Sequence, residues 1–293
     1  MELLKDWNIT LFKTMPFKDK VKKNEYDRKY RIVNKESLRN RRNSSWKKRL
    51  INEANRKNRD LYSSYEIAEE YIYYLWNKQN GKCFWFDFDL LNFLDDRNPL
   101  QPSLDRIDNS KGYIEGNIVL SCLAANYGRN INDAITFVKT LKKINLSKYE
   151  YDIDLKNINE NIDVIGIHKK KNWISSLQKN SLHKARKKNL SFNLTKDFIL
   201  ELKEKQSGLC YWYGVEMETS LKPKYPLQYS LDRIDSTKGY TKDNVVLCSL
   251  MANFGKNKTD PNKWFEFSQM VKDRIKLNDE KRKLIQTEFN FIF

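Results

Sequence analysis

Six residues, three in each of two places, have the types and spacing that would hold a hard cation against a phosphate. Asp105 is followed 12 positions on by Asn117 and nine later by Asn126, and Asp232, Asn244 and Asn253 repeat both intervals. A carboxylate and a carboxamide oxygen facing one another make an oxygen site suited to Mg2+ or Mn2+, with water and phosphate completing the coordination. Beside each aspartate stands an arginine, Arg106 or Arg233, a permanent cation able to clamp a phosphate and stabilise developing negative charge. The chemistry this set implies is metal-assisted hydrolysis of a phosphodiester.

The elements that must position these residues occur twice. Residues 46–130 lie over 173–257 at a constant offset of 127, most closely at 103–113 (SLDRIDNSKGY) and 230–240 (SLDRIDSTKGY). Such self-similarity marks a duplicated structural unit. Each copy opens with a basic helix, 46–58 or 173–187. In the second helix Ile67, Tyr71, Ile72 and Leu75 match Leu194, Phe198, Ile199 and Leu202 at helical spacing. Thr195 or Asn193 would cap the later one, and Gly81 and Gly208 end the pair. A short aromatic strand is expected at 83–86 (CFWF) and 210–213 (CYWY). Strands at 103–107 and 117–120, then a helix from about 121 past Asn126, form a β-β-α unit; copy two has it at 230–234, 244–247 and 248–254. A helix folded over such a hairpin can bring the aspartate and both asparagines to one face. The expected class is α+β: two tandem units of two helices plus a β-β-α finger, behind a basic helical N-terminal extension. The divisions are 1–45, a first repeat 46–147, an acidic linker 148–165, a second repeat 166–275, and a helix end with apolar tail 276–293.

Net charge is +17, and it is uneven. Residues 166–196 hold nine Lys or Arg and no acid, which a uniformly lysine-rich composition would not produce. A polyanion partner follows, and double-stranded DNA is the expected one. Backbone contacts would come from Arg39, Arg41, Arg42, Lys47 and Lys48 before and within the first repeat. In the second they would come from Lys169, Lys170, Lys171, Lys184, Arg186, Lys187 and Lys188. No run approaches a membrane span of roughly 18 apolar residues, and mean hydropathy is −0.78. Neither basic stretch is joined to a strong apolar face, which argues against a membrane surface. Cys83, Cys122, Cys210 and Cys248 include no C-x-x-C, so neither a disulfide scaffold nor structural zinc is expected, and a reducing, cytoplasmic setting fits.

The stretch L-D-R-I-D, G-Y, N and N-x-x-K/R, with Q-x-G-x-C upstream at 79–83 and 206–210, resembles the HNH (His-Me finger, ββα-metal) endonucleases of phages and bacteria. The resemblance covers about 85 residues of each copy. It implies that Asp105 with Asn126, and Asp232 with Asn253, are metal ligands. It further implies that Asn117 and Asn244 orient the catalytic group, and that Arg129 and Lys256 contact phosphate. A sequence-specific endonuclease of homing or restriction type, working as a monomeric pseudo-dimer on DNA, is the activity implied.

One departure is large. The common form has Asp-His on the first strand, and here Arg106 and Arg233 replace the histidine; His168 and His183 lie outside both motifs. Arginine, a permanent cation, is no general base near neutrality. Asp108 or Asp235 could serve, or Tyr213, whose counterpart is Phe86. The rival readings are a catalytically degenerate DNA-binding protein using the same units for binding, and an RNA-binding protein. The tail from Gln286 to Phe291 resembles the short Q-x-x-[apolar]-x-F peptides that dock on sliding clamps, or forms a strand docked on its own domain.

Overall fold

A computed structural model of the chain describes residues 46–61, 66–95, 98–146, 172–219 and 224–290, together with Arg28, Lys29 and Ile32. Arg39, Arg41, Arg42, Lys169, Lys170, Lys171, His168 and the linker 148–165 lie outside the described residues. The chain divides into two compact units, Met1–Ser45 and Trp46–Phe293. The three isolated positions in the first are helical. The second unit is α+β, with eight helices and two two-stranded antiparallel sheets among the described residues.

Copy one runs α1 (Trp46–Leu61), α2 (Glu69–Lys78), β1 (Pro102–Arg106), β2 (Ile118–Cys122), α3 (Leu123–Arg129) and α4 (Ala134–Lys143). Copy two runs α5 (Trp173–Lys187), α6 (Lys196–Lys205), β3 (Tyr229–Arg233), β4 (Val245–Ser249), α7 (Leu250–Lys256) and α8 (Pro261–Asn290). Thr195 caps α6 by accepting from the Phe198 N–H at 3.1 Å, while Asn193 accepts from Lys242 N–H instead. The hairpins pair in matching register, Asp105 opposite Val119 and Asp232 opposite Val246.

A two-stranded ribbon is marginal by itself, and each is held on its free edge by one glutamine. Gln79 Nε2 donates to the Leu120 carbonyl at 2.7 Å while Oε1 accepts from Leu120 N–H at 2.8 Å. Gln206 treats Leu247 identically, at 2.7 and 3.0 Å. Cys83 and Cys210, in the same motif, accept the N–H of Cys122 and Ser249 through sulfur.

The aromatic segments are tight turns rather than strands. Asp87 N–H donates to Cys83 O, and Gly214 N–H to Cys210 O. Cys83, Trp85 and Phe86 are all buried, and a strand alternating faces at every residue cannot turn two adjacent aromatic rings inward. The repeat also runs further than 130. Asp133 and Asp260 sit at equivalent helix starts, and Phe137 packs on Trp85 as Trp264 packs on Trp212. At the C-terminus residues 286–290 continue α8, so the strand expected there is not formed; Phe291, Ile292 and Phe293 lie outside the described residues.

The two copies meet where α3 crosses α7. Gly128 lies against Met251, and Gly255 against the carbonyl of Ala124. Ala124 and Met251 are equivalent positions, as are Gly128 and Gly255, so each contact is reciprocated. That is the pattern of an isologous dimer contact, here within one chain. A Cβ on Gly255 would sit 2.8 Å from Ala124 O. Gly255→Val should therefore cost about 1–3 kcal/mol in a urea titration, and unchanged stability would show that the helices do not cross this closely.

Candidate functional site

Asp105 occupies the end of β1 facing α3, and it is saturated. Arg129 forms a bidentate pair with it, Nε to Oδ2 at 2.8 Å and Nη2 to Oδ1 at 2.6 Å, and Trp85 Nε1–H donates to Oδ2 at 2.7 Å. Arg129 is 1% exposed and Asp105 5%. The guanidinium also donates to Asn132 O and to Asn109 Oδ1, so fork geometry and burial hold the pair in one arrangement. Asn126, one helical turn earlier, lies over Ser103 rather than Asp105: its Nδ2 donates to Ser103 Oγ at 3.1 Å and Leu104 O at 3.0 Å.

Copy two has the same layout with a weaker cation. Trp212 Nε1–H donates to Asp232 Oδ2 at 2.9 Å, and Lys256 Nζ approaches Oδ2 at 3.2 Å and Oδ1 at 3.4 Å. Its short contact, 2.6 Å, is to the Arg233 carbonyl. Burial raises the Asp232 pKa above the usual carboxylate range, opposed by Lys256 and Trp212. The contribution of this titration to stability thus falls as pH rises from the ordinary carboxylate range through the raised value. Asn253 Nδ2 donates to Ser230 Oγ and Leu231 O.

These geometries correct several expectations. Arg129 and Lys256, expected on phosphate, are interior counter-ions of the strand aspartates. Asn117 and Asn244 do not reach toward a reacting group but pin the hairpin loop. Each accepts the N–H of Asp108 or Asp235 and donates to that residue's carbonyl and to Gly112 O or Gly239 O. Arg106 and Arg233 fold over their own loops, donating to Lys111 O and Lys238 O and stacking on Tyr113 and Tyr240. Tyr213 is 1% exposed with its hydroxyl unpartnered, and burial pushes its pKa well above the ordinary phenol value. It cannot supply a phenolate near neutrality. Tyr213→Phe, which restores the Phe86 of copy one, should be neutral or raise the melting temperature, because an unsatisfied hydroxyl is removed without loss of shape. Asp235 is held below the usual carboxylate range by the Thr237 hydroxyl and N–H, which makes it a weak base.

The fit to a divalent cation differs between copies. In copy one both Asp105 oxygens already meet a guanidinium, and the donor set does not fit Mg2+ or Mn2+. In copy two Asp232 and the Asn253 carboxamide oxygen could take a cation only in exchange for the Lys256 ammonium. Among the described residues no group of three or more His, Cys, Asp or Glu side chains is gathered as for a metal.

The basic helices are unequal too. On α1, Lys57 pairs with Glu53 at 2.9 Å and Arg59 with Glu66 at 2.7 Å, while Lys47 stacks on the rings of Tyr73 and Trp46. Copy two has Asn180, Lys187 and Asn193 where copy one has Glu53, Asp60 and Glu66. Lys184, Arg186, Lys187 and Lys188 are exposed, with no acidic partner among the described residues. Partial burial, then repulsion from Lys188 and Arg233, lowers the Lys184 pKa against the opposing pull of the buried Asp232. The repulsion outweighs that pull, and a cluster with a net excess of positive charge is arranged to receive an anion. The signal for the interior pair was present in the sequence: Trp85 and Trp212 coincide while the aromatic residues on either side vary.

No protein-family model matches the chain, and no solved structure does. Over 175 residues, 59% of its length, it is 27% identical to an uncharacterized protein of Acanthamoeba polyphaga mimivirus, and it covers 28% of that protein. No helix among the described residues is long and apolar enough to cross a membrane.

Proposed function

We propose that this chain binds double-stranded DNA as a single-chain pseudo-dimer of ββα units of the HNH endonuclease kind, with the copy-two face as its principal contact. The observation that carries the reading is the exposed cluster of Lys184, Arg186, Lys187 and Lys188, none of them in an ion pair among the described residues, beside Arg233. Lysine and arginine facing solvent without partners contact phosphates and release counterions, so affinity falls steeply with salt. Meanwhile the residues expected to do chemistry are spent internally: the aspartates on Trp and Arg or Lys, the asparagines on backbone. Fluorescence anisotropy with a labelled duplex across a salt series tests this. Saturable, salt-sensitive binding that single-stranded RNA does not outcompete is expected, and no binding at low salt would end the proposal.

A second reading, metal-dependent hydrolysis confined to copy two, is favoured by the looser Asp232–Lys256 pair. A flexible ammonium can withdraw where a bidentate guanidinium cannot. Asp232 and Asn253 would then hold the cation, which when bound would polarise the phosphodiester, and Arg233 would steady the phosphate. On this reading supercoiled plasmid is nicked with Mg2+ or Mn2+. Lys256→Arg, which gives copy two the pair of copy one, should reduce nicking at least about 100-fold with duplex affinity unchanged. Plasmid left intact by the wild-type chain with either metal leaves binding alone.

A further inference from the structure

A cleft beside these fingers lies on copy one and is closed by the other repeat. It measures about 380 Å³ and opens between α1, the start of β1 and α3, with Asn257, Lys258 and Thr259 of copy two forming the far wall. That volume is at the lower end of small-ligand sites, which run from about 300 Å³ upward. Neither Asp105 nor Arg129 lines it, so it is distinct from the buried ion pair.

The duplication indicates what shape it takes. In copy two the corresponding space, bounded by Leu177, Asn180 and Gln228, is reduced to about 40 Å³. Tyr229 stands there where copy one has Pro102, and its ring stacks on Trp173 with centroids 4.5 Å apart. Copy two thus fills with its own flat ring a space that copy one leaves open. The polar groups say what that ring carries. Asn126, which lines the cleft, spends its Nδ2 on Ser103 and Leu104, leaving a carbonyl acceptor. That unmet acceptor calls for a ligand that donates. Tyr127, 40% exposed, stands at the wall, and exposed Lys258 adds a cation.

We infer that this cleft binds a nucleobase bearing an exocyclic amine, stacked by an aromatic side chain, with its 5′-phosphate toward Lys258. Choosing a nucleobase among planar donors rests on the proposed binding of DNA. The shared chemistry is an unpaired amino-bearing base, whether from a free mononucleotide or from an extruded position in a duplex.

Calorimetric titration of the full chain with AMP, CMP and TMP is the test. AMP or CMP should bind saturably, and TMP, which lacks the amine, at least about tenfold more weakly. Pro102→Tyr copies the residue that copy two already accommodates, so it should fold, keep duplex affinity and lose nucleotide binding. Lys258→Ala, at an exposed position, should weaken the monophosphate and leave the nucleoside unaffected. A duplex with one bulged adenine distinguishes the sources: preference over the paired duplex, lost in Pro102→Tyr, assigns the site to DNA bases, and nucleotide binding without it assigns the site to free nucleotides. No saturable binding of any of the three at millimolar concentration, or equal affinity for TMP, overturns the inference. If duplex binding persists in that case, the proposed function stands; if nucleotides bind and duplex does not, that reading fails and this one remains.

Discussion

Asp105→Ala should cost about 3–5 kcal/mol of folding stability with metal chelated, the loss expected when one partner of a buried ion pair is removed. The variant leaves a guanidinium at 1% exposure facing the vacated carboxylate position, with Nε and part of Nη2 stripped of their acceptor. Asp232→Ala should cost less, about 1.5–3 kcal/mol, because Lys256 keeps its 2.6 Å bond to Arg233 O. A double variant, Asp105→Leu with Arg129→Met, should recover most of the first loss, since apolar groups can replace a buried pair. Urea titrations of all four proteins decide the matter. A carboxylate kept mainly for a solvent-facing cation would behave oppositely: without metal its removal would be neutral or stabilising. A loss below about 1 kcal/mol for Asp105→Ala would mean that the pair behaves as an exposed one and does not anchor the finger.

Reversing the charge of Lys184, Arg186, Lys187 and Lys188 together to glutamate should lower duplex affinity by at least about 10³-fold at low salt. The slope of log affinity against log salt should become shallower by roughly 3–4, near 0.9 for each phosphate no longer neutralised. All four are exposed, so the fold should survive. The matched control is Lys57 and Arg59 on α1, already paired with Glu53 and Glu66; reversing them should change affinity less than about tenfold. Anisotropy at several salt concentrations reads both quantities. Equal effects from the two helices would remove the asymmetry on which the proposed contact face depends.

The duplication, the hairpins and their helices were legible because a fixed offset carries turn residues and hydrophobic runs with it. What was hidden is a matter of one helical turn. Asn126 and Arg129 lie three apart on α3, and both face β1. Sequence spacing cannot say which of them stands over Asp105, and the helix seats Asn126 on Ser103 and Arg129 on the aspartate. The resemblance to a metal finger favoured the asparagine. Nor does spacing reveal that Trp85 and Trp212 turn their indole N–H groups onto the carboxylates. Tyr213 against Phe86 read as a gained hydroxyl with a task, yet it is a core ring whose oxygen has no partner. The aromatic run misled for a related reason: adjacent rings driven into one core require a turn, which β propensity alone does not register.

The reciprocal crossing of α3 and α7 carries a further consequence. Since each glycine is answered by its equivalent, the copies meet as the two halves of an isologous dimer do, across an approximate two-fold axis. The two chains of a double helix are related in the same way. DNA bound across that axis would offer each finger a half-site of inverted polarity, and because the basic helices differ, the favoured target would be an imperfect palindrome with one dominant arm.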